Sequence, residues 1–216
     1  MVMGIHKAMA ELVAIEPWHE LFAETAPPVF AESRPVPAPA FHTYTLAALP
    51  GDGQRVDGLF DRTPEPALRE YRQIATSVLQ PCPAIALAVD DFAEAVGLRQ
   101  RVGVHVRSRF DFANKRPPSA EHVARRFGAE LAKIAAQQPV YLATDCYALR
   151  RAADGIAGVA CWPAVDFSQM VVAEWRTAFC EMLALSRCER LIVTAGSTFS
   201  ECAWWLGGAV APVAFL

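Results

Sequence analysis

Three short stretches carry side chains able to hold an anion. His105, Arg107 and Arg109 recur at every second position, Asp145 closes the run Val140-Tyr141-Leu142-Ala143-Thr144, and Gly196-Ser197-Thr198 offers small residues and two hydroxyls. A guanidinium presents a planar fork of N–H donors that matches phosphate oxygens. Small residues opening a helix leave backbone N–H groups and the positive end of the helix dipole free to face an anion. A diphosphate is therefore the chemistry these residues suit, provided that the fold brings positions 107, 145 and 197 to one edge. Taken singly, Ser197 and Thr198 read equally well as helix N-caps, Arg107 and Arg109 as strand-end partners of Asp111, and His105 as a core histidine. The chain has no Walker lysine and no G-x-G-x-x-G, so neither a P-loop nor a dinucleotide fold is indicated by motif. A serine hydrolase is excluded as well. Ala195 and Phe199 stand where G-x-S-x-G needs glycines, and no histidine follows His122.

The elements that must position these residues follow from periodicity. Val102, Val104 and Val106 alternate in a short run bounded by charge, which predicts a buried strand, with Gly103 letting another backbone pass close. Helices are predicted over 67–79 (Leu68, Tyr71, Ile74, Ala75, Val78) and 83–98, both leading into that strand. After a polar loop through Pro117-Pro118, Ser119 is placed to cap a helix that buries Val123, Phe127, Leu131 and Ile134. Val140 to Asp145 is the second strand, 146–154 a short helix stopped by Gly155, and 156–162 a third strand. Asp166 with Gln169 resembles a capping box opening a helix with Val171, Trp175, Ala178, Met182 and Leu185 on one side. Arg190 to Thr194 is the fourth strand, followed by a helix through Trp205 and a last short apolar stretch. Alternating strands and helices over 67–216 predict an α/β domain with a parallel, doubly wound sheet, in which ligands bind beyond the carboxyl ends of the strands. Nine of the 16 prolines fall between Pro17 and Pro66, so residues 1–66 form a short irregular region ahead of that domain.

Composition sets the outer bounds. The 216 residues are 53 % hydrophobic and 20 % charged with a net charge of −3, which argues against disorder and against general attraction to nucleic acid or anionic membrane. Six scattered cysteines without C-x-x-C suggest neither a zinc site nor a disulfide scaffold. The first twenty residues hold no uninterrupted apolar segment, and 203–216 is short and broken by glycine and proline, so a cytoplasmic protein without a membrane span is expected. The adjacent acids Asp90-Asp91 make no D-x-D, so no metal requirement is expected.

The ordered set Val102-Gly103-Val104-His105-Val106-Arg107, Val140-Tyr141-Leu142-Ala143-Thr144-Asp145 and Leu183-Ala184-Leu185-Ser186 leading to Ser197-Thr198-Phe199-Ser200 resembles the GDP-fucose-dependent fucosyltransferases. That superfamily includes the α1,6-, nodulation, protein O- and xyloglucan fucosyltransferases, and the likeness covers roughly residues 100 to 208. The resemblance implies a Rossmann-like domain of the GT-B type, GDP-fucose as donor substrate with no separate cofactor, a carbohydrate acceptor, and metal-independent inverting transfer. By the same resemblance Arg107 matches the arginine that grips the β-phosphate, and His105 a residue near the guanine or ribose. Ser197, with Thr198 and Phe199 beside it, matches the diphosphate-binding start of a helix. Asp145 matches the acidic end of the Y-L-A-T-D strand, and Glu181 falls where an aspartate reads the guanine edge. Many relatives carry His-x-Arg-Arg where this chain has Arg107-Ser108-Arg109, which displaces the second arginine by one position. Asp111 is the nearest candidate general base. Domain organisation follows as 1–66, a reduced acceptor-side region, and 67–216, the nucleotide-sugar domain. Two rivals to a transferase stay open: a non-catalytic GDP-sugar-binding module that needs a partner for chemistry, and an α/β domain with no ligand.

Overall fold

A computed structural model describes residues 83–108, 119–163, 172–194 and 197–216, together with Arg69, Arg72, Gln80 and Pro81. The proline-rich region, the 109–118 loop and the expected capping box at Asp166 lie outside the described residues. Arg69 and Arg72 are helical, in keeping with the periodicity of 67–79.

In chain order the elements are α1 (Pro83–Val96), a short 3₁₀ turn (Leu98–Gln100), β1 (Val102–Val106), α2 (Ala120–Ala135), β2 (Val140–Thr144), α3 (Tyr147–Ala153), β3 (Val159–Cys161), α4 (Val172–Ser186), β4 (Arg190–Val193), α5 (Thr198–Leu206) and β5 (Val213–Phe215). Among the described residues the four strand-to-strand pairings are all parallel, and the strands lie in the order β3-β2-β1-β4-β5. Every residue of β1 and β2 is buried, as both faces of a parallel sheet must be when helices cover them.

Alternation along the strands sorts the core into two layers. Val102, Val104, Val106, Val140 and Leu142 pack on α2 and α3 through Val123, Leu131 and Leu149. Tyr141, Ala143, Leu191 and Val193 pack on α1, α4 and α5 through Val89, Leu185 and Trp205. The doubly wound arrangement expected from the sequence is therefore present. Gly103 points into the second layer, where a Cβ would lie 2.7 Å from Leu185 Cδ1 and 3.0 Å from Cys188 Cβ. The approach that this glycine permits is thus by side chains of α4 and its C-terminal turn, not by a second backbone. Arg101 tethers the opposite end of the sheet, its Nη1 donating to the carbonyls of Val140 (3.0 Å) and Gly158 (2.8 Å).

Ser119 caps α2 as expected, its hydroxyl accepting from the His122 amide at 3.2 Å. One local expectation is corrected and one element is added. The α3 helix ends on Asp154 in right-handed conformation, and the left-handed glycine is Gly158 (φ 84) rather than Gly155. The last apolar stretch is a fifth strand, because three residues suffice once β4 offers them a parallel edge.

Candidate functional site

The sheet order places the topological switch between β1 and β4. The chain leaves β1 toward α2 on one face and β4 toward α5 on the other, so a crevice opens where the two carboxyl ends diverge. One threonine spans it. The hydroxyl of Thr194 accepts from the Arg107 amide at 3.0 Å and donates to the His105 carbonyl at 3.2 Å, while the Thr194 amide donates to that same carbonyl at 3.0 Å. The pairing of β1 with β4 is thereby continued for one residue past the end of β4.

Arg107 emerges at this point and pairs with the next strand end. Its Nη1 lies 3.2 Å from Oδ2 of Asp145, whose Oδ1 accepts from the Ser108 amide at 2.6 Å. Both carboxylate oxygens are thus engaged by the segment that follows β1. Thr144 reinforces the junction, donating to the Val106 carbonyl at 2.8 Å and accepting from the Cys146 amide at 3.1 Å. The Arg107 side chain remains 35 % exposed, so the guanidinium is fixed in direction yet open to solvent.

On the other side of the crevice Ser197 is the N-cap of α5. It is buried, and its hydroxyl makes no capping hydrogen bond, although its amide donates to the Thr194 carbonyl at 3.3 Å. Thr198 opens the helix directly after it. The ring of Phe199 stacks on His105, with centroids 4.7 Å apart and planes 23° apart. His105 is 3 % exposed, and its Nδ1 is buried with no hydrogen-bonding partner among the described residues. Burial pushes its pKa down to about 3, with Arg107 adding to the effect and Asp145 opposing it. The ring is therefore neutral, and it lies two residues before the expected phosphate-binding arginine.

Glu181 stands elsewhere. It lies on α4, buried, in an ion pair with Arg150 of α3, and Arg150 Nη2 also donates to the Trp162 carbonyl at 3.0 Å. Burial pushes the Glu181 carboxyl up to about 7, which Arg150 opposes and Asp145 reinforces.

Of the residues expected from sequence, His105, Arg107, Asp145, Ser197 and Phe199 converge on the crevice, while Glu181 lies outside it and is felt there only through the charge of Asp145. Arg109 and Asp111 lie outside the described residues. One contributor to the crevice, Thr194, escaped the sequence reading, as did Arg150, the partner that buries Glu181. Thr194 looks like an ordinary strand residue, and Arg150 like a solvated position on a short helix; no local pattern marks either. What the arrangement can do chemically is bind an anion, with a guanidinium on one wall and a helix N-terminus on the other.

No family model matches the sequence, and no curated protein does. Among solved structures the chain is similar to NodZ alpha-1,6-fucosyltransferase soaked with GDP-fucose, at 22 % identity and a TM-score of 0.47, over 68 % of this chain and 49 % of that one. It is similar also to fucosyltransferase NodZ from Bradyrhizobium, at 22 % identity and a TM-score of 0.45 over 67 % and 48 % of the two chains. POFUT1 in complex with GDP aligns at 16 % identity and a TM-score of 0.40, over 71 % and 50 %. The chain thus spans about half the length of each of these structures, and what it shares with them is the α/β fold.

Proposed function

We propose that residues 67–216 form the nucleotide-sugar domain of a fucosyltransferase-like protein, which binds GDP-fucose at the β1/β4 crevice and transfers fucose to a carbohydrate acceptor. One observation carries the reading: the Thr194 bridge holds Arg107 and the N-terminus of α5 on the two sides of one switch-point crevice. The ordered motifs of the sequence give that crevice a GDP-sugar rather than a generic anion. In this reading Arg107, the Ser197 hydroxyl and the first amides of α5 stabilise the charge that develops on the departing diphosphate, which is electrostatic catalysis at the leaving group. Inversion and independence from metal belong to the same reading.

A second reading is a GDP-sugar-binding module that relies on a partner for chemistry. It is favoured by Asp145, whose two oxygens are committed to Arg107 and Ser108 and so poorly placed to act as a base toward an acceptor. Calorimetric titration with GDP, UDP and ADP tests both. Preferential binding of GDP is expected, and absence of binding by all three overturns the site. Release of GDP from GDP-fucose in the presence of acceptor sugars then separates the transferase from the module.

A further inference from the structure

The β4 strand ends at Val193, yet its pairing with β1 runs on through Thr194, and it does so irregularly. In a regular parallel ladder, a residue whose amide donates to one position of its neighbour accepts, at its own carbonyl, from the amide two positions further on. Thr194 donates its amide to the His105 carbonyl at 3.0 Å, so regular pairing would bring the Arg107 amide to the Thr194 carbonyl. That carbonyl accepts from the Ser197 amide instead, at 3.3 Å, and the Thr194 hydroxyl receives Arg107 at 3.0 Å. The hydroxyl proton is committed to the His105 carbonyl at 3.2 Å, which leaves an oxygen lone pair for the Arg107 amide. One side chain thus stands in for its own carbonyl. Without it the carbonyl has two claimants, the strand end that carries Arg107 and the turn that leads into α5. Ser197, three positions away, keeps it, because the loop it closes is so short. On the other flank Thr144 donates to the Val106 carbonyl at 2.8 Å, so the end of β1 is held from both neighbouring strands.

We propose that Thr194 is a positioning residue for anion binding: its hydroxyl fixes the backbone of Arg107 while its carbonyl fixes the start of α5, which sets the two walls of the crevice at one separation. This rests on the reading of the crevice as a diphosphate site. Thr194 acts through Arg107 and does not itself touch the ligand. The strand needs only a β-branched residue here, and valine would supply one. The bridge needs the hydroxyl.

The test is calorimetric titration of the full chain with GDP and with guanosine, for the parent, Thr194→Val, Thr194→Ser, Arg107→Ala and the combination of Thr194→Val with Arg107→Ala. Thr194→Val is expected to weaken GDP about tenfold, the usual scale of loss when a backbone donor is left without its acceptor, and to leave guanosine unchanged. Thr194→Ser, which keeps the hydroxyl, should bind GDP within about threefold of the parent. Because the effect passes through Arg107, the combined variant should lose about fivefold less than the product of the two separate losses. The proposal is overturned by GDP affinity of Thr194→Val within about twofold of the parent, or by separate losses that multiply to within about twofold in the combination. An equal loss for guanosine, or a loss in Thr194→Ser as large as in Thr194→Val, overturns it as well. Should Thr194→Val not fold, Thr194→Ala takes its place, and comparison with Thr194→Ser isolates the hydroxyl. A parent that binds GDP no more tightly than guanosine overturns the diphosphate reading and the proposal with it, and is recognised before any substitution is made.

Discussion

Arg107 joins a strand end, a neighbouring carboxylate and an open crevice, and each predicts something different about its replacement. Loss of a charge-assisted contact to phosphate in Arg107→Ala should cost on the order of 2–3 kcal/mol of GDP binding, against about 0.5–1.5 for the neutral hydroxyl of Ser197→Ala. Titration with GDP and with guanosine checks this. Guanosine, which has no phosphates, should bind the parent and both variants alike, and an equal loss for both ligands would mean general damage. Arg107→Lys should rescue poorly, because a point charge cannot hold the Asp145 carboxylate and a phosphate in one plane. His105 gives a second expectation. Its folded pKa of about 3 lies below the ordinary histidine value of 6.5, so the unfolded chain binds the extra proton first. The stability this ring contributes is therefore complete above 6.5 and lost as pH falls toward 3. Its ring protons should show no titration between about pH 5 and 8, and a midpoint near the ordinary histidine value would mean that the Phe199 stack opens to water. At this scale the sequence disclosed the residues that chemistry itself marks, such as arginine at a strand end and serine before a helix. It hid Thr194 and Arg150, because their roles depend on partners 87 and 31 positions away.

Elements were legible where periodicity is long and where caps are local. The α2 helix could be read from Ser119 and the spacing of Val123, Phe127, Leu131 and Ile134, and β1 from three valines. The β5 strand was not, because Val213, Ala214 and Phe215 have no pattern of their own and are ordered by the edge of β4. Two glycines show how differently one residue type serves within these elements. A methyl group at Gly103 meets Leu185, Leu191 and Cys188 at 3.0 Å or less, so Gly103→Ala should destabilise by about 1–3 kcal/mol through overpacking between β1 and α4. A methyl group at Gly128, in the middle of α2, meets nothing within 4 Å. Gly128→Ala should therefore stabilise by about 0.5–1 kcal/mol, since alanine loses less backbone freedom on entering a helix. Midpoints of urea unfolding for the two variants should move in opposite directions, and a shared direction would contradict the packing described for β1.

For the whole molecule, the binding reading predicts a linked stabilisation. GDP at about one hundred times its dissociation constant should add about 2.7 kcal/mol to unfolding, and exhaustive chelation should leave that gain intact if the diphosphate is held by protein groups alone. Loss of the gain on chelation would count against the metal-independent reading. The fold class was legible from strand and helix alternation, but the order of the strands was not, since nothing local says that β1 will lie beside β4. That neighbourhood also governs how the chain is made. Val102 to Val106 leave the ribosome roughly 90 residues ahead of Val193, an interval of several seconds at ordinary rates of synthesis. During it β1 can pair with β2 on one side only, and its other edge, apolar on both faces, has no strand to meet. A nascent chain stalled between α3 and β4 should therefore be the species that chaperones capture, and release of β4 the event that ends their hold.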